Sequence, residues 1–182
     1  MAPKAANRAY IGLGANLGDP PAQLRAALGA LGALPGTAVA AVSRFWRSRP
    51  LSLPGGEPAQ TDQPDYCNAV CALDTLMPPL ALLEALQAIE TAAGRTRGGP
   101  RWGPRLLDLD LLHVEGVQID SPRLTLPHPE LQRRGFVLLP LLEIAPALEI
   151  PGLGRVAALA AALSGAPPQP WERRPDGAQA TT

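Results

Sequence analysis

A chain of 182 residues, 46% of them apolar, is long enough for one domain with a real core and cramped for two. Sixteen basic and 16 acidic residues cancel to zero net charge, which speaks against a nonspecific nucleic-acid binder or a polybasic membrane binder. Eighteen glycines and 22 prolines predict many loops, yet stay under the roughly 25–30% that marks low-complexity disorder.

From the N-terminus, Met1 to Arg8 lacks the apolar run of a signal peptide. Residues 9–14 read as a short strand, with a turn at 15–18. Asp19 then stands as a helix N-cap with Pro20 at the first helical position. Leu24, Leu28 and Leu31 carry that helix's apolar stripe. After Gly36, residues 37–47 read as one second strand. Residues 50–64 hold Pro50, Pro54, Gly55, Gly56, Pro58 and Pro64, a density that predicts a long loop. Tyr66 to Asp74 alternates as a strand. Its Cys67 and Cys71 are too far apart along it to bridge and too few to hold zinc, so they read as small buried residues of a reducing compartment.

Pro78 and Pro79 open a helix that Gly94 stops, with Leu82, Leu86, Ile89 and Ala93 inward. Residues 95–105 form a second loop, and Leu106 to Val114 is a strand. A small strand near 117–119, short helices at 130–134 and 136–143, and an Ala/Leu helix at 155–163 follow. No run of about eighteen apolar residues predicts a transmembrane helix, so a soluble, cytoplasmic protein with no membrane partner is expected. The domain is expected over residues 1–164, and the Pro-rich, polar residues 165–182 as a disordered tail. Interleaved strands and helices make the class α+β or mixed α/β.

The chemistry concentrates at Arg101-Trp-Gly-Pro-Arg105-Leu-Leu-Asp108-Leu-Asp110. In a strand, residues i and i+2 share a face about 7 Å apart. Asp108 and Asp110 therefore project together while Leu107, Leu109 and Leu111 point into a core. Paired carboxylates suit Mg²⁺, which keeps its other positions for water and phosphate oxygens. The alternative is an aspartate paired with a nearby arginine and its neighbour solvated. The preceding loop supplies Arg95, Arg97, Arg101 and Arg105 with no acid among them. Guanidinium forks beside carboxylates are what a polyphosphate–Mg²⁺ complex needs. No P-loop occurs, and Gly12-Leu-Gly14 reads as a tight strand exit. Tyr66 and Asn68 share a strand face, an arrangement that suits a flat heterocycle or else a core tyrosine beside a strand-end asparagine. Gln87 and Glu90 share a helix face at i, i+3.

Four ordered motifs carry a resemblance: Tyr10-Ile-Gly-Leu-Gly-Ala-Asn-Leu-Gly-Asp19, Asp62-Gln-Pro-Asp-Tyr-Cys-Asn-Ala-Val70, the Arg101–Leu111 segment, and Arg123-Leu-Thr-Leu-Pro-His-Pro129 with Arg134-Gly-Phe136. Together they resemble the 6-hydroxymethyl-7,8-dihydropterin pyrophosphokinase family of the folate pathway. The resemblance implies a ferredoxin-like α+β core with a mostly antiparallel sheet flanked by helices. It also implies transfer of the β,γ-diphosphate of ATP to the pterin hydroxymethyl group, with release of AMP, by in-line attack at the β-phosphorus assisted by two Mg²⁺ ions.

Carried over residue by residue, Asp108 and Asp110 match the metal ligands, and Arg95 and Arg105 match catalytic arginines. Tyr66 and Phe136 match the rings that sandwich the pterin, with Asn68 at its edge and Ser48, Arg49 and Leu51 lining it. Gln87, Glu90, Arg97, Trp102, Leu111, Arg123, Thr125, His128 and Arg134 fall at ATP-site positions. The loops 50–64 and 95–105 match two that close over the ligands. Departures are Ala15 for serine, Ser48 for threonine, Arg49 for proline, Gly98 for an occasional lysine, and a longer 50–64 loop. The expected partners are ATP and a hydroxymethyl dihydropterin, without nucleic acid, for a monomer or weak dimer. Rival classes are a nucleic-acid-binding module on the same fold and a different Mg²⁺-dependent phosphoryl or nucleotidyl transferase. The nucleotide released separates them.

Overall fold

The computed structural model describes residues 6–50, 63–94 and 104–171. Strand β1 (Asn7–Ala15) is central, pairing antiparallel with β4 (Tyr66–Thr75) on one side and β5 (Asp108–Val114) on the other. Beyond β4 lie β2 (Thr37–Val42) and β3 (Trp46–Ser48), and β10 (Gln169–Pro170) extends β3. With helix α1 (Pro20–Gly32) after β1 and α2 (Pro79–Ala92) after β4, this is the antiparallel ferredoxin-like arrangement.

Each helix forms for a local reason. At α1, Asp19 accepts a 3.1 Å bond from Ala22 N and Pro20 opens the first turn, while Leu24, Ala27 and Leu31 are buried. Pro79 opens α2, and Gly94 ends the connection with φ +96°, a conformation that a side chain would disfavour. Both helices cover one sheet face through Leu24, Leu31, Leu82 and Leu86, packed on Ile11, Leu13, Cys71, Leu73, Leu109 and Leu111.

The other sheet face is covered by α3 (Gly135–Ile144) and α4 (Val156–Ala161). Leu138, Leu141 and Val156 pack there on Tyr10, Val70, Ala72 and Leu112. A 3-10 turn, Leu131–Arg133, leads into α3. Two small ladders, β6 (Ile119–Asp120) with β7 (Thr125–Leu126) and β8 (Glu149–Ile150) with β9 (Gly154–Arg155), complete the described residues. No helix among them is long and apolar enough to cross a membrane.

Two expectations change. The single strand expected over 37–47 is two, because Ser43 breaks the ladder and replaces it. Ser43 N donates to Val70 O at 2.9 Å, and Ser43 Oγ accepts from Val70 N at 3.0 Å. Residues 165–171, expected within the disordered tail, return to the sheet instead. Trp171 N donates to Phe45 O at 2.8 Å, and the Arg47 guanidinium lies 4.7 Å from the Trp171 ring centroid. Residues 172–182 lie outside the described residues.

Candidate active site

Register brings the chemistry together. Gly14 of β1 lies opposite Asn68 on β4 and Asp108 on β5. Gly12 lies opposite Val70 and Asp110 in the same way. Residues 67, 69, 71 and 73 of β4 and 109 and 111 of β5 fill the core under α1 and α2. Strand alternation therefore turns Tyr66, Asn68, Asp108 and Asp110 to the opposite face, toward α3. Between Asn68 and Asp108 the central strand presents only a glycine. A Cβ built at Gly14 would stand 3.4 Å from Asn68 Oδ1 and 3.9 Å from the Tyr66 ring. Gly14 is thus the floor of the site, whereas Gly12 lies under the core side chain of Leu112, 3.4 Å from where a Cβ would stand; neither is the strand exit expected.

Both carboxylates hold arginines. Arg105 Nη1 donates to Asp108 Oδ1 at 2.8 Å, and Arg134 Nη1 donates to Asp110 Oδ2 at 2.8 Å. The side chains of Asp108 and Asp110 remain 32% and 31% exposed, whereas that of Arg134 is only 14% exposed. The two arginines come from different elements, the segment before β5 and the turn before α3. Like charges that would repel are thereby neutralised one by one. Each aspartate has an arginine beside it, yet both side chains stay partly exposed. Among the described residues no cluster of three His, Cys, Asp or Glu forms a closed metal cage. Two hard carboxylates with open positions suit Mg²⁺, whose other ligands are waters and phosphate oxygens.

Next to this pair, Asn68 Nδ2 donates to Ser48 Oγ at 2.9 Å, and Ser48 lies opposite Tyr66 in the ladder. Burial raises the Tyr66 phenol pKa, Arg105 opposes that shift and Asp108 adds to it, so the ring senses both members of the ion pair. Phe136 is the second residue of α3, with the Arg134 guanidinium 5.9 Å from its ring centroid. Arg49 is exposed just past β3. Leu51 lies outside the described residues, as do Arg95, Arg97 and Trp102 and nearly all of the two loops expected to close.

The remaining positions lie around the outer edge of β5. Glu90 is buried at 3% exposure and accepts from Leu109 N at 2.8 Å, whereas Gln87 is exposed on α2. They do not share an environment, because Glu90 continues the buried stripe of Leu82 and Leu86. The Leu111 side chain is a core residue. Arg123 pairs with Glu84 of α2 at 2.7 Å, and Thr125 sits on β7. His128 N donates to Leu112 O at 2.8 Å, while its Nδ1 accepts from Glu130 N at 3.1 Å, which leaves Nε2 to carry the hydrogen of the neutral ring.

Burial lowers the pKa of His128 and of His113, and nearby carboxylates oppose the shift in both. His113 stacks on Tyr10 with centroids 6.2 Å apart, and its Nδ1 is buried without a partner. A base whose folded pKa is depressed makes the unfolded state the better proton binder. Its stabilising contribution is complete above the unfolded value near 6.5 and is lost as pH falls through the folded one. We expect stability to decline on acidification with a slope of up to about 1.4 kcal/mol per pH unit from each histidine. Unfolding midpoints of wild type and His113→Leu from pH 7.5 to 5 check this. The variant should lose less, and parallel profiles would remove His113 as the cause.

Comparisons with known proteins identify the family. Residues 10–146 match the family model described as 7,8-dihydro-6-hydroxymethylpterin-pyrophosphokinase (HPPK). The chain is 50% identical over 144 residues to the 2-amino-4-hydroxy-6-hydroxymethyldihydropteridine pyrophosphokinase of Pseudomonas aeruginosa, covering 79% of this chain and 84% of that protein. It is 46% identical over 143 residues to the Haemophilus influenzae protein of the same name, with coverage of 79% and 84%. Among solved structures it is similar to the HPPK-DHPS protein of Plasmodium falciparum with pteroate, at a TM-score of 0.66 and 12% identity, covering 88% of this chain. It spans 43% of that solved chain, and at such identity the likeness shows the fold alone.

Proposed function

The chain belongs to the 7,8-dihydro-6-hydroxymethylpterin-pyrophosphokinase family, and on that premise we propose how its residues divide the work. It is a pyrophosphokinase of folate biosynthesis. The β,γ-diphosphate of ATP passes to the pterin hydroxymethyl oxygen. The bond from the α,β-bridging oxygen to the β-phosphorus breaks, a new oxygen–phosphorus bond forms, and AMP leaves.

One observation carries the assignment of residues: across the Gly14 floor, the Tyr66–Asn68 face meets the Asp108–Asp110 pair, and each carboxylate has an arginine at 2.8 Å. In this reading Tyr66 and Phe136 stack on the pterin and Asn68, steadied by Ser48, reads its edge. Arg105 and Arg134 neutralise the diphosphate as it moves. Asp108 and Asp110 would hold Mg²⁺, two ions in all, which when bound screens the phosphates and lowers the pKa of a coordinated hydroxyl. Gln87, Thr125, Arg123, His128 and the β5 edge at Leu111 receive the nucleotide. The partners are ATP and the hydroxymethyl dihydropterin, with no nucleic acid or membrane, and the enzyme works in the cytoplasm as a monomer or weak dimer. Cys67 and Cys71, free and buried with thiol pKa values pushed up to about 12 by burial, suit such a reducing compartment.

Incubation with ATP, Mg²⁺ and the hydroxymethyl dihydropterin should release AMP one for one with diphosphorylated pterin. ADP with a monophosphorylated pterin would make the enzyme an ordinary kinase and overturn the reading. Absence of pterin-dependent turnover would favour the binding-module rival.

The glycine floor has its own consequence. Gly14→Ala should leave the fold intact, since alanine is better tolerated than glycine in a strand interior by roughly 0.5–1 kcal/mol. The new methyl occupies space that the ring ligand needs between Asn68 and Tyr66. KM for the pterin is expected to rise about tenfold or more, equivalent to about 1.4 kcal/mol, with the unfolding midpoint unchanged or higher. A normal KM with a lowered midpoint would assign Gly14 to packing instead.

A further inference from the structure

Asn16 stands between the two halves of the site and lines neither. It directly follows β1 and is 2% exposed. Its side-chain Oδ1 accepts from Arg105 N at 2.8 Å. Its Nδ2 donates to Pro64 O at 3.1 Å and reaches Gln63 Oε1 at 3.4 Å. Its backbone N, with that of Leu17, donates to Arg105 O at 3.0 and 3.3 Å. One buried amide therefore joins two chain segments that are far apart in sequence. Pro64 lies two residues before Tyr66, which opens β4. Arg105 lies three residues before Asp108, which opens β5 and holds the Arg105 guanidinium.

We propose that Asn16 is a positioning residue that couples pterin binding to nucleotide binding. The inference rests on the functional reading above and adds a residue and a task to it. Asparagine suits the task because one planar group offers an acceptor to one segment and a donor to the other. Aspartate has no donor, and alanine has neither. A buried polar group that loses its partners is costly, so the two segments move together or pay a desolvation penalty. Ligand contacts that order the start of β4 are felt at Arg105, and those at Arg105 are felt at Tyr66. By linkage the effect is the same in both directions.

The test is equilibrium binding of the hydroxymethyl dihydropterin with and without a saturating α,β-methylene analogue of ATP plus Mg²⁺. The analogue cannot release AMP, so binding is separated from turnover. Wild type should bind the pterin at least about fivefold more tightly with the analogue present, within the usual range of such couplings. Asn16→Ala should bring that ratio close to one. Asn16→Asp keeps the acceptor for Arg105 N and removes the donor toward Pro64, and it should lose the ratio as well. Thr75→Val, which removes a part-buried hydrogen bond to Thr37 and the acceptor of Met77 N at the far end of β4, destabilises the sheet without touching either segment and should keep it. A wild-type ratio of one, an unchanged ratio in either Asn16 variant, or an equal loss in Thr75→Val would overturn the proposal. Failure of both Asn16 variants to fold would overturn it in favour of a purely structural role. Wild type that binds no pterin under either condition would bring down the functional reading itself, whereas pterin binding that ignores Asn16 brings down only this inference.

Discussion

Asp110→Ala and Asp108→Ala should each cut turnover by about a thousandfold or more while the protein remains folded. A metal that screens phosphates and activates a hydroxyl contributes several kcal/mol of transition-state stabilisation, and about 1.4 kcal/mol is one decade in rate. Neither carboxylate supports the core: both side chains are about one-third exposed, and the strand's core contacts come from Leu109, Leu111, Leu112 and Val114. The stability cost is confined to the arginine that each leaves behind. Arg134 is the more buried of the two arginines, so Asp110→Ala should lower the unfolding midpoint more than Asp108→Ala does. Asparagine in place of either aspartate keeps the shape and removes the charge, and it should be nearly as inactive. A titration with Mn²⁺ in the presence of ATP, followed by its paramagnetic signal, reads metal binding apart from turnover. Near-normal turnover of either alanine variant at saturating Mg²⁺ would exclude the metal assignment, as would unaltered Mn²⁺ binding in both.

The carboxylate pair was legible because its signal is local. Strand alternation alone turns Asp108 and Asp110 to one face and Leu109 and Leu111 to the other. The cap at Asp19 was legible for the same reason. What the sequence concealed depends on register between distant strands. Glycines are poor strand formers, so Gly12 and Gly14 suggested the end of a strand. Only the alignment of Gly14 with Asn68 and Asp108 shows that it clears a floor in the middle of the sheet, while Gly12, opposite Val70 and Asp110, makes room for the Leu112 side chain. The Arg134–Asp110 pair spans 24 residues and no spacing rule reaches it.

Glu90 was a different kind of miss, because its signal was present. It falls four residues after Leu86 and eight after Leu82, on the buried stripe. A carboxylate there demands a buried donor, and Leu109 N, between the two aspartates on the edge strand, supplies it. Likewise, the hydroxyl of Ser43 split an otherwise continuous strand pattern because it could satisfy Val70 itself. The return of the chain at Gln169 and Pro170 could not be read from a polar, Pro-rich composition that predicts no core contact.

Arg105→Ala should lower kcat by about a hundredfold or more and leave the ATP dissociation constant within a fewfold of wild type. The Arg105 backbone is fixed, since its N–H and its carbonyl both bond to Asn16. Its guanidinium already has a charge-assisted bond to Asp108 at 2.8 Å. Taking up ATP therefore exchanges one strong pair, arginine with carboxylate, for another, arginine with phosphate. The two contacts are of similar strength, so the net gain in ground-state affinity is small. The balance changes as the diphosphate moves and negative charge builds on the departing AMP and the transferred group. A fixed cation at a half-buried position then interacts more strongly than it did before. An interaction that strengthens only in the transition state appears in kcat rather than in binding, and removing one such donor typically costs about 10²–10³ in rate. Equilibrium binding of ATP and single-turnover kinetics on the same variant separate the possibilities. Weakened binding with normal chemistry at saturating ATP would make Arg105 a simple anchor. Normal values of both would mean that its bond to Asp108 is its whole role, and either pattern refutes the assignment.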